Sequence, residues 1–218
     1  MIVMFTCSAA AAQTAVPSVQ ATGNATIMAK PNQAQLDVGV VTIGATAQEA
    51  SQKNASLSES VQAALAKVLG AAGTLQTVSY YVTPRYSNSP NQTPVLTGYT
   101  AGNTVRVTTT DLSQIGVLID VASQAGSNSV GGLSFGLQDP EPLMAQALTQ
   151  ATKQATAHAA AIAAGLGGKL GAVISAQEGS QYTPITMGTA SSGAASTPVQ
   201  TGTVSVYATV TIQVALAQ

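Results

Sequence analysis

The fold of this chain is decided by residues 98–140, which read GYTAGNTVRVTTTDLSQIGVLIDVASQAGSNSVGGLSFGLQDP. Within this segment, β-branched side chains alternate through residues 104–110 around Arg106, which is typical of a half-buried strand. Apolar residues recur mostly two apart over residues 130–137, so a second strand with one buried face is expected there. The segment therefore predicts two strands on either side of a helix.

The helix between these strands has clear start and stop signals. Asp111 is a favourable N-cap, and Gln114 three residues later completes a capping box. Apolar side chains then follow at three- and four-residue steps until Gly126, where the helix is predicted to end. Asp139 and Pro140 predict the start of a further helix, because proline suits the first helical position.

The whole chain shows alternating strand and helix patterns in the order ββαββαβαββ. The first two strands, separated by Pro31-Asn32, are predicted to form a hairpin, and Pro84 predicts that the third lies at a sheet edge or bulge. Residues 87–97 and 180–202 predict flexible loops. We therefore predict an α+β fold with two loosely similar halves, in which three helices pack on a largely antiparallel sheet. Outside the central segment, the predicted strands are 19–29, 35–45, 75–86, 170–178 and 204–216. One predicted helix begins at a capping box formed by Thr46 and Glu49 and ends at Gly70 or Gly73, and another covers about residues 141–166.

The last predicted helix is rich in alanine, which allows a neighbouring element to approach closely while burying little area per residue. Its glycine-rich end, residues 165–169, superficially resembles a phosphate-binding loop. Such a loop would precede a helix and place Ser or Thr at position 170, where this chain has leucine, so a glycine C-cap is the prediction. The predicted apolar seam of the helix consists of Met144, Leu148, Ala151, Ala155, Ile162 and Leu166.

Composition limits the classes of partner. Charged residues make up only 7% of the 218 residues, where about 25% is usual, and the net charge is -1. The chain therefore lacks the basic surface that nucleic acid requires. No run of about 18 apolar residues is present, so no membrane-spanning helix is expected. A neutral, polar surface of this kind favours association of the protein with itself.

The first twelve residues, MIVMFTCSAAAA, differ from the rest of the chain. Their short apolar run and the alanines before Gln13 fit the end of a signal peptide, although a basic start and a full apolar region are missing. We interpret residues 1–12 as a signal-peptide remnant that precedes a single domain over residues 13–218. The alternative is a disordered apolar N-terminus. Cys7 is a poor match to a lipoprotein site, and without it the mature chain has no cysteine.

One motif suggests catalysis. Residues 132–136, GLSFG, match the nucleophile elbow G-x-S-x-G, and Asp139 and His158 follow in the order of a serine hydrolase. The elbow requires a sharp turn at Ser134, whereas apolar alternation continues straight through it, so a strand is the prediction. His158 is the only histidine and is predicted to lie beside the helical seam rather than at a metal. No catalytic residue, metal or cofactor is predicted.

Two features indicate an interaction surface. Arg106, one of two arginines, lies in the middle of a strand, where it predicts either an interface contact or an ion pair with a carboxylate on the opposite strand. Four tyrosines flank the predicted loop at residues 87–97, and tyrosine is favoured at interfaces. Packing within the sheet is the alternative use. The four are Tyr80, Tyr81, Tyr86 and Tyr99.

Short motifs run through the chain in a fixed order: Thr22-Gly23-Asn24-Ala25, Pro31, Gly98-Tyr99, Asn103-Thr104-Val105, Asp111-Leu112, Ile119-Asp120, Ala125-Gly126, Asn128, residues 132–135 and Asp139-Pro140. Over about residues 18–216, their order and spacing resemble the SIMPL domain family of bacterial cell-envelope proteins. The resemblance implies an exported α+β protein of the periplasm or outer membrane, without an established enzymatic activity. Family members are associated with tolerance of oxidative stress, and ring-like homo-oligomers have been proposed for some. This chain departs from the family pattern in its low charge and at Asn24 and Ala25.

Two hypotheses about function follow. The first is a non-enzymatic exported envelope protein that assembles with itself, with a role in envelope or oxidative-stress tolerance. The second is a periplasmic binding or adaptor module that holds a protein or cell-wall ligand through its loops at residues 87–97 and 180–202.

Overall fold

The computed structural model describes residues 16–87, 93–186 and 202–217. The predicted α+β class and the order of elements are confirmed, with one short strand added near the C-terminus. The strands are β1 (Ser18–Ala29), β2 (Gln33–Gly44), β3 (Gly73–Ser87), β4 (Val95–Thr109), β5 (Ser129–Gly136), β6 (Lys169–Thr183), β7 (Ile185–Thr186) and β8 (Val204–Ala217). The helices are α1 (Ala47–Leu69), α2 (Ile115–Gln124) and α3 (Glu141–Gly165).

The strands lie in two antiparallel sheets, and the chain divides into two compact units. One unit contains the five-stranded sheet, in the order β3-β4-β2-β5-β7, with α1 and α2. The other is built around the three-stranded sheet, in the order β1-β8-β6, with α3. The prediction of a single domain over residues 13–218 stays a prediction.

The predicted hairpin of the first two strands is wrong, because β1 and β2 belong to different sheets. The partner of β1 is β8, at the other end of the chain. Their pairing is shown by a hydrogen bond between the Thr22 and Thr211 hydroxyls (2.9 Å) and by the Leu216 amide, which donates to the Pro17 carbonyl oxygen (2.8 Å). A local signal such as Pro31-Asn32 does not determine which strand becomes the neighbour.

The core of the larger unit lies between α1, α2 and one face of the five-stranded sheet. Alternate residues of β2 point into it, and Phe135 of β5 is fully buried there. Helix α1 begins where predicted, since the Thr46 hydroxyl accepts a hydrogen bond from the Glu49 amide (3.1 Å). The main contributors to the core are Leu36, Val38, Val40, Val61, Leu65, Val107, Ile115, Leu118 and Phe135.

Asp111 and Asn128 fix the two ends of the α2 region. Asp111 caps a short 3-10 turn that leads into α2, and its carboxylate accepts from the side-chain amide of Gln114 (2.8 Å). Asn128 acts as an extension of β5, because its side chain accepts from the Val41 amide (2.8 Å) and donates to the Val41 carbonyl oxygen (2.7 Å). Gly126 adopts a positive φ of 109° at the end of the helix, as its position predicts.

Helix α3 packs through a narrower row than the predicted seam. The buried residues are alanines at steps of four: Ala147, Ala151, Ala155, Ala159 and Ala163. A step of four residues advances about 40° around an α-helix, so the contact line winds around α3 instead of following one side. Ile162 and Leu166 of the predicted seam are consequently exposed. The C-cap prediction is confirmed: Gly167 has φ 78°, and the Gly168 amide donates to the Ala163 carbonyl oxygen (2.9 Å).

The two predicted loops are shorter than expected where they are described. Strand β3 continues to Ser87 and β4 begins at Val95, while β6 extends to Thr183 and is followed by β7. The remaining parts of these loops, residues 88–92 and 187–201, lie outside the described residues, as does the signal-peptide prediction for residues 1–12. None of the helices in the described ranges is long and apolar enough to cross a lipid bilayer.

Candidate functional site

Strand β3 is a long edge strand that is open on both faces. Its neighbour in the five-stranded sheet is β4, and β3 stands at the end of the strand order. Nearly all of its fifteen residues are exposed, whereas a strand within a covered sheet alternates between buried and exposed side chains. Tyr80, in the middle of the strand, is 57% exposed. The edge prediction made from Pro84 is therefore confirmed.

Most of β3 lacks the charges and prolines that usually protect an edge strand. Edge strands are commonly blocked by lysine, by proline or by inward-pointing charges, because their free N–H and C=O groups can pair with another chain. Residues 73–83, GTLQTVSYYVT, contain neither charge nor proline. Arg85 and Pro84 come only near the end, and a bulge between Thr77 and Ser79 is the one irregularity in the central part. The first eleven residues of β3 thus present an edge without charge or proline, and one bulge is its only protective device.

The β3–β4 hairpin also extends past the end of β2. The pairing of β2 with β4 ends at Gly44 opposite Tyr99, whereas β3 and β4 remain paired as far as Ser87 and Val95. Gly98 permits this extension with φ 139°, and a Cβ there would lie 2.6 Å from the Gly44 carbonyl oxygen. The extension exposes apolar side chains, namely Tyr86, Val95 and Leu96.

The four predicted tyrosines therefore differ in environment. Tyr80, Tyr81 and Tyr86 are exposed along β3, and Tyr99 is half-buried in β4. Part of the Tyr81 ring covers Gly102 of β4, where a Cβ would lie 2.4 Å from the ring carbon that carries the hydroxyl. Packing within the sheet accounts for Tyr81 in part, and it leaves Tyr80 and Tyr86 available to a partner.

A groove lies between α1 and the β3–β4 pair, beside the exposed edge. Its volume is about 570 Å³, and Leu75 and the alanines of α1 form its apolar lining. Asn103 of β4 contributes a side-chain oxygen that is buried and has no hydrogen-bond partner among the described residues. Ser58, Glu59 and Gln62 of α1 supply the other polar groups. The groove thus combines an apolar lining with polar groups of α1, whereas the Asn103 oxygen beside it is not accessible to solvent.

A second depression of about 560 Å³ lies where the end of β2 meets the first half of α1. Ile43 and Leu57 supply its apolar surface, and Lys53 stands at its side. The Lys53 ammonium lies 2.7 Å from the Glu49 carboxylate. That hydrogen bond, followed by one from the Ala45 amide, lowers the pKa of Glu49 below its ordinary value. The positive charge of Lys53 is thus paired with Glu49 within α1.

Arg106 pairs with a carboxylate on the opposite strand, which was one of its two predicted environments. Its guanidinium donates to both oxygens of Asp37 on β2, at 2.7 and 2.9 Å, and the two residues are directly opposite in the register. This bidentate contact raises the pKa of Arg106 further above its ordinary value. Leu36 and Val38 point towards the helices, so the ion pair stands on the other face of the sheet. A role for Arg106 at an interface stays a prediction.

The G-x-S-x-G motif lies in a strand and not in a nucleophile elbow. Ser134 is within β5, opposite Gln35 of β2 and Thr186 of β7. Gly132 has φ 61° next to the irregularity in the β2–β5 register, and a Cβ there would lie 2.9 Å from the Asp37 carboxylate. Gly132 of the motif is thus explained by a bulge in β5 that lies next to the Arg106–Asp37 ion pair.

His158 has a structural partner on β1. It lies on the flank of the α3 alanine row, as predicted, and its Nδ1 is 2.9 Å from the Thr22 carbonyl oxygen. Across residues 16–87, 93–186 and 202–217, no group of three or more His, Cys, Asp or Glu side chains is placed to hold a metal ion.

Strand β6 is a second long edge that sequence reasoning did not identify as one. It stands at the end of the three-stranded sheet, and most of its fifteen residues are exposed on both faces. Val173 is 65% exposed, and Ile174 on the opposite face is also exposed. The apolar residues at the start of β6 predicted a strand. No signal in the sequence showed whether α3 would cover that strand or leave it exposed.

The antiparallel sheets, the capped helices and the order of elements define an α+β protein in which, among the described residues, the long edge strands β3 and β6 are exposed on both faces. The chain belongs to the SIMPL family: the family model, described as a protein of unknown function (DUF541), matches residues 19–214. This span includes all three helices and nearly all of β1 and β8. A search of curated proteins finds no match to the chain.

Proposed function

We propose that this SIMPL protein is a non-enzymatic protein of the bacterial cell envelope that works by assembling with copies of itself. The observation that carries the proposal is the exposed, uncharged edge of β3 over residues 73–83. Such an edge is a template for strand pairing, and natural proteins protect it unless it has a partner. The low charge of the chain supports the proposal, because copies that approach each other meet little repulsion.

Light scattering coupled to size-exclusion chromatography tests the assembly. The mature chain, residues 13–218, is expected to elute at micromolar concentration with a mass that is a multiple of the monomer mass. The same measurement at high salt should give the same assembly, since few charges are available to be screened. A strict monomer at these concentrations contradicts the proposal.

Export to the periplasm or outer membrane is part of the same proposal. It rests on the alanine-rich site before Gln13 and on the envelope setting of the family that the sequence resembles. Cell fractionation should recover the protein outside the cytoplasm, with the N-terminal residues removed. For the proposed role in oxidative-stress tolerance, a strain that lacks the protein should survive peroxide less well and should recover when the gene is restored.

A second candidate function is a binding module, and the groove between α1 and β3 favours it. The groove combines an apolar lining with three polar side chains of α1, Ser58, Glu59 and Gln62, which suits it to hold and orient a ligand. The loops first considered for binding lie partly outside the described residues, so the groove is the better-defined candidate. Soluble cell-wall fragments titrated into the wild type and into Gln62→Ala test it. Binding weakened by the variant supports the module, and equal binding by both proteins, or none, counts against it.

A further inference from the structure

The geometry of β3 indicates how copies would meet. Fifteen residues at about 3.4 Å each form an edge about 50 Å long. A contact about 10 Å high along that edge covers about 500 Å² of each copy, below the roughly 800 Å² per partner of a stable interface. A stable pair must therefore cover neighbouring surface as well, and the groove beside α1 adjoins the edge.

We propose that two copies pair antiparallel through the outer edges of β3, so that two five-stranded sheets become one sheet of ten strands. This inference rests on the assembly proposed above and names the surface that carries it. Antiparallel pairing of identical strands requires a two-fold axis perpendicular to the sheet, so α1 of each copy lies on the same side. Side chains of the added strand that point to that side then enter the groove.

Charge is compatible with this arrangement. The one charged residue of β3 is Arg85, five positions beyond Tyr80 at the middle of the strand. In a pair centred near Tyr80, the two Arg85 side chains are more than about 30 Å apart, several times the Debye length of about 8 Å. In this register Arg85 of each copy lies opposite Leu75 of the other, and the central residues 77–83 meet only neutral side chains.

The tyrosines are placed to stabilise the centre of the pair. Tyr80 is directly opposite Asn103 in the β3–β4 register, so its side chain stands on the groove side of the sheet. Its counterpart in the second copy approaches the same groove from across the two-fold axis. Aromatic pairs across neighbouring strands stabilise a sheet, so the two Tyr80 rings are expected to strengthen the centre of the pair.

Charge substitutions at Tyr80 test the pairing. Tyr80→Lys and Tyr80→Glu each place like charges close together at the axis, so each should raise the dissociation constant at least about tenfold. An equimolar mixture of the two variants should recover the wild-type mass, because opposite charges then face each other. The matched control is Val173→Lys on the other open edge, which should assemble like the wild type; Val173 is 65% exposed.

A cross-link supplies a test that does not depend on weakened assembly. In a Cys7→Ser background, Tyr80→Cys should form a disulfide-linked dimer under mild oxidation, whereas Val173→Cys should not. Circular dichroism and a cooperative unfolding transition verify that each variant is folded. A monomeric wild type overturns both this inference and the proposed function. An assembled wild type that Tyr80→Lys leaves intact, with no cross-link through position 80, overturns the β3 pairing alone.

Discussion

The side-chain amide of Asn54 in α1 lies 2.7 Å from the carbonyl oxygen of Val40 in β2. The same nitrogen donates to the Ala101 carbonyl oxygen of β4 (3.1 Å), and the Asn54 oxygen accepts from the Ser58 hydroxyl (3.3 Å). Asn54 is completely buried, so these bonds are made out of contact with water. One polar residue in the core therefore fixes the position of α1 over two neighbouring strands.

Asn54→Asp should destabilise the protein by about 2–4 kcal/mol, because the carboxylate cannot donate and two buried carbonyl groups lose a partner. Urea denaturation measures the change. Gln52→Ala, an exposed position two residues earlier, is the control and should change the free energy of unfolding by less than about 0.5 kcal/mol. A loss no greater than that of the control would show that the two carbonyl groups do not depend on Asn54.

Substitution of Gly23 in β1 by any residue with a side chain is expected to be unfavourable. A Cβ there would lie 2.1 Å from the Ala151 carbonyl oxygen and 2.4 Å from the Ala155 amide nitrogen, both in the backbone of α3. Gly23→Ala should therefore cost about 1–3 kcal/mol through overpacking. Gly165→Ala, at the end of the same helix with open space around it, should be neutral or stabilise by up to about 1 kcal/mol. Thermal denaturation of the two variants provides the comparison, and equal melting temperatures would contradict the close packing of β1 on α3.

The Arg106–Asp37 ion pair should contribute little to stability despite its bidentate geometry. The Arg106 side chain is 41% exposed and that of Asp37 is 25% exposed, so water screens the attraction. A double-mutant cycle with Asp37→Ala and Arg106→Ala should give a coupling energy of about 1 kcal/mol or less, which falls as salt is added. A coupling above about 3 kcal/mol would indicate a desolvated pair.

Glu49 should contribute to the loss of stability in acid. Its pKa in the folded protein is lowered from the ordinary value of 4.5, so its carboxylate stabilises the fold above that pH. The contribution is lost as the pH falls through the lowered value. Glu49→Gln should therefore be less stable than the wild type at pH 7 and should lose less stability between pH 5 and pH 3. Urea denaturation at each pH tests this, with Glu59→Gln as the control on the same helix. Parallel wild-type and Glu49→Gln profiles would be evidence against it.

Local signals in the sequence predicted the helices well. Thr46, Asp111 and Gly126 act within one turn of their own positions, so their effect does not depend on the rest of the fold. The Pro84 signal for an edge strand was informative for the same reason, because a missing N–H is a local property.

The neighbours of each strand and the coverage of its faces could not be predicted. The hairpin predicted around Pro31 is not formed, because β1 pairs with a strand about 190 residues away. The periodicity of a strand contains no information about which other strand pairs with it. Likewise, the composition of β3 and β6 is compatible with either a central or an edge strand. Both faces of each strand are exposed because the helices do not cover them. The sequence thus predicted the tyrosines of the candidate surface. The exposed edge of β3 and the groove beside it were identified only in the structure.

The central position of β8 between β1 and β6 affects how the protein can be made. The two outer strands contact the same strand, which follows both of them in the chain. During synthesis, β1 therefore remains without its partner until β8 has emerged, and closure of so long a loop is slow. A protein released before residue 204 would leave two strands unpaired at once. Completion of this sheet thus depends on translation of residues 204–217.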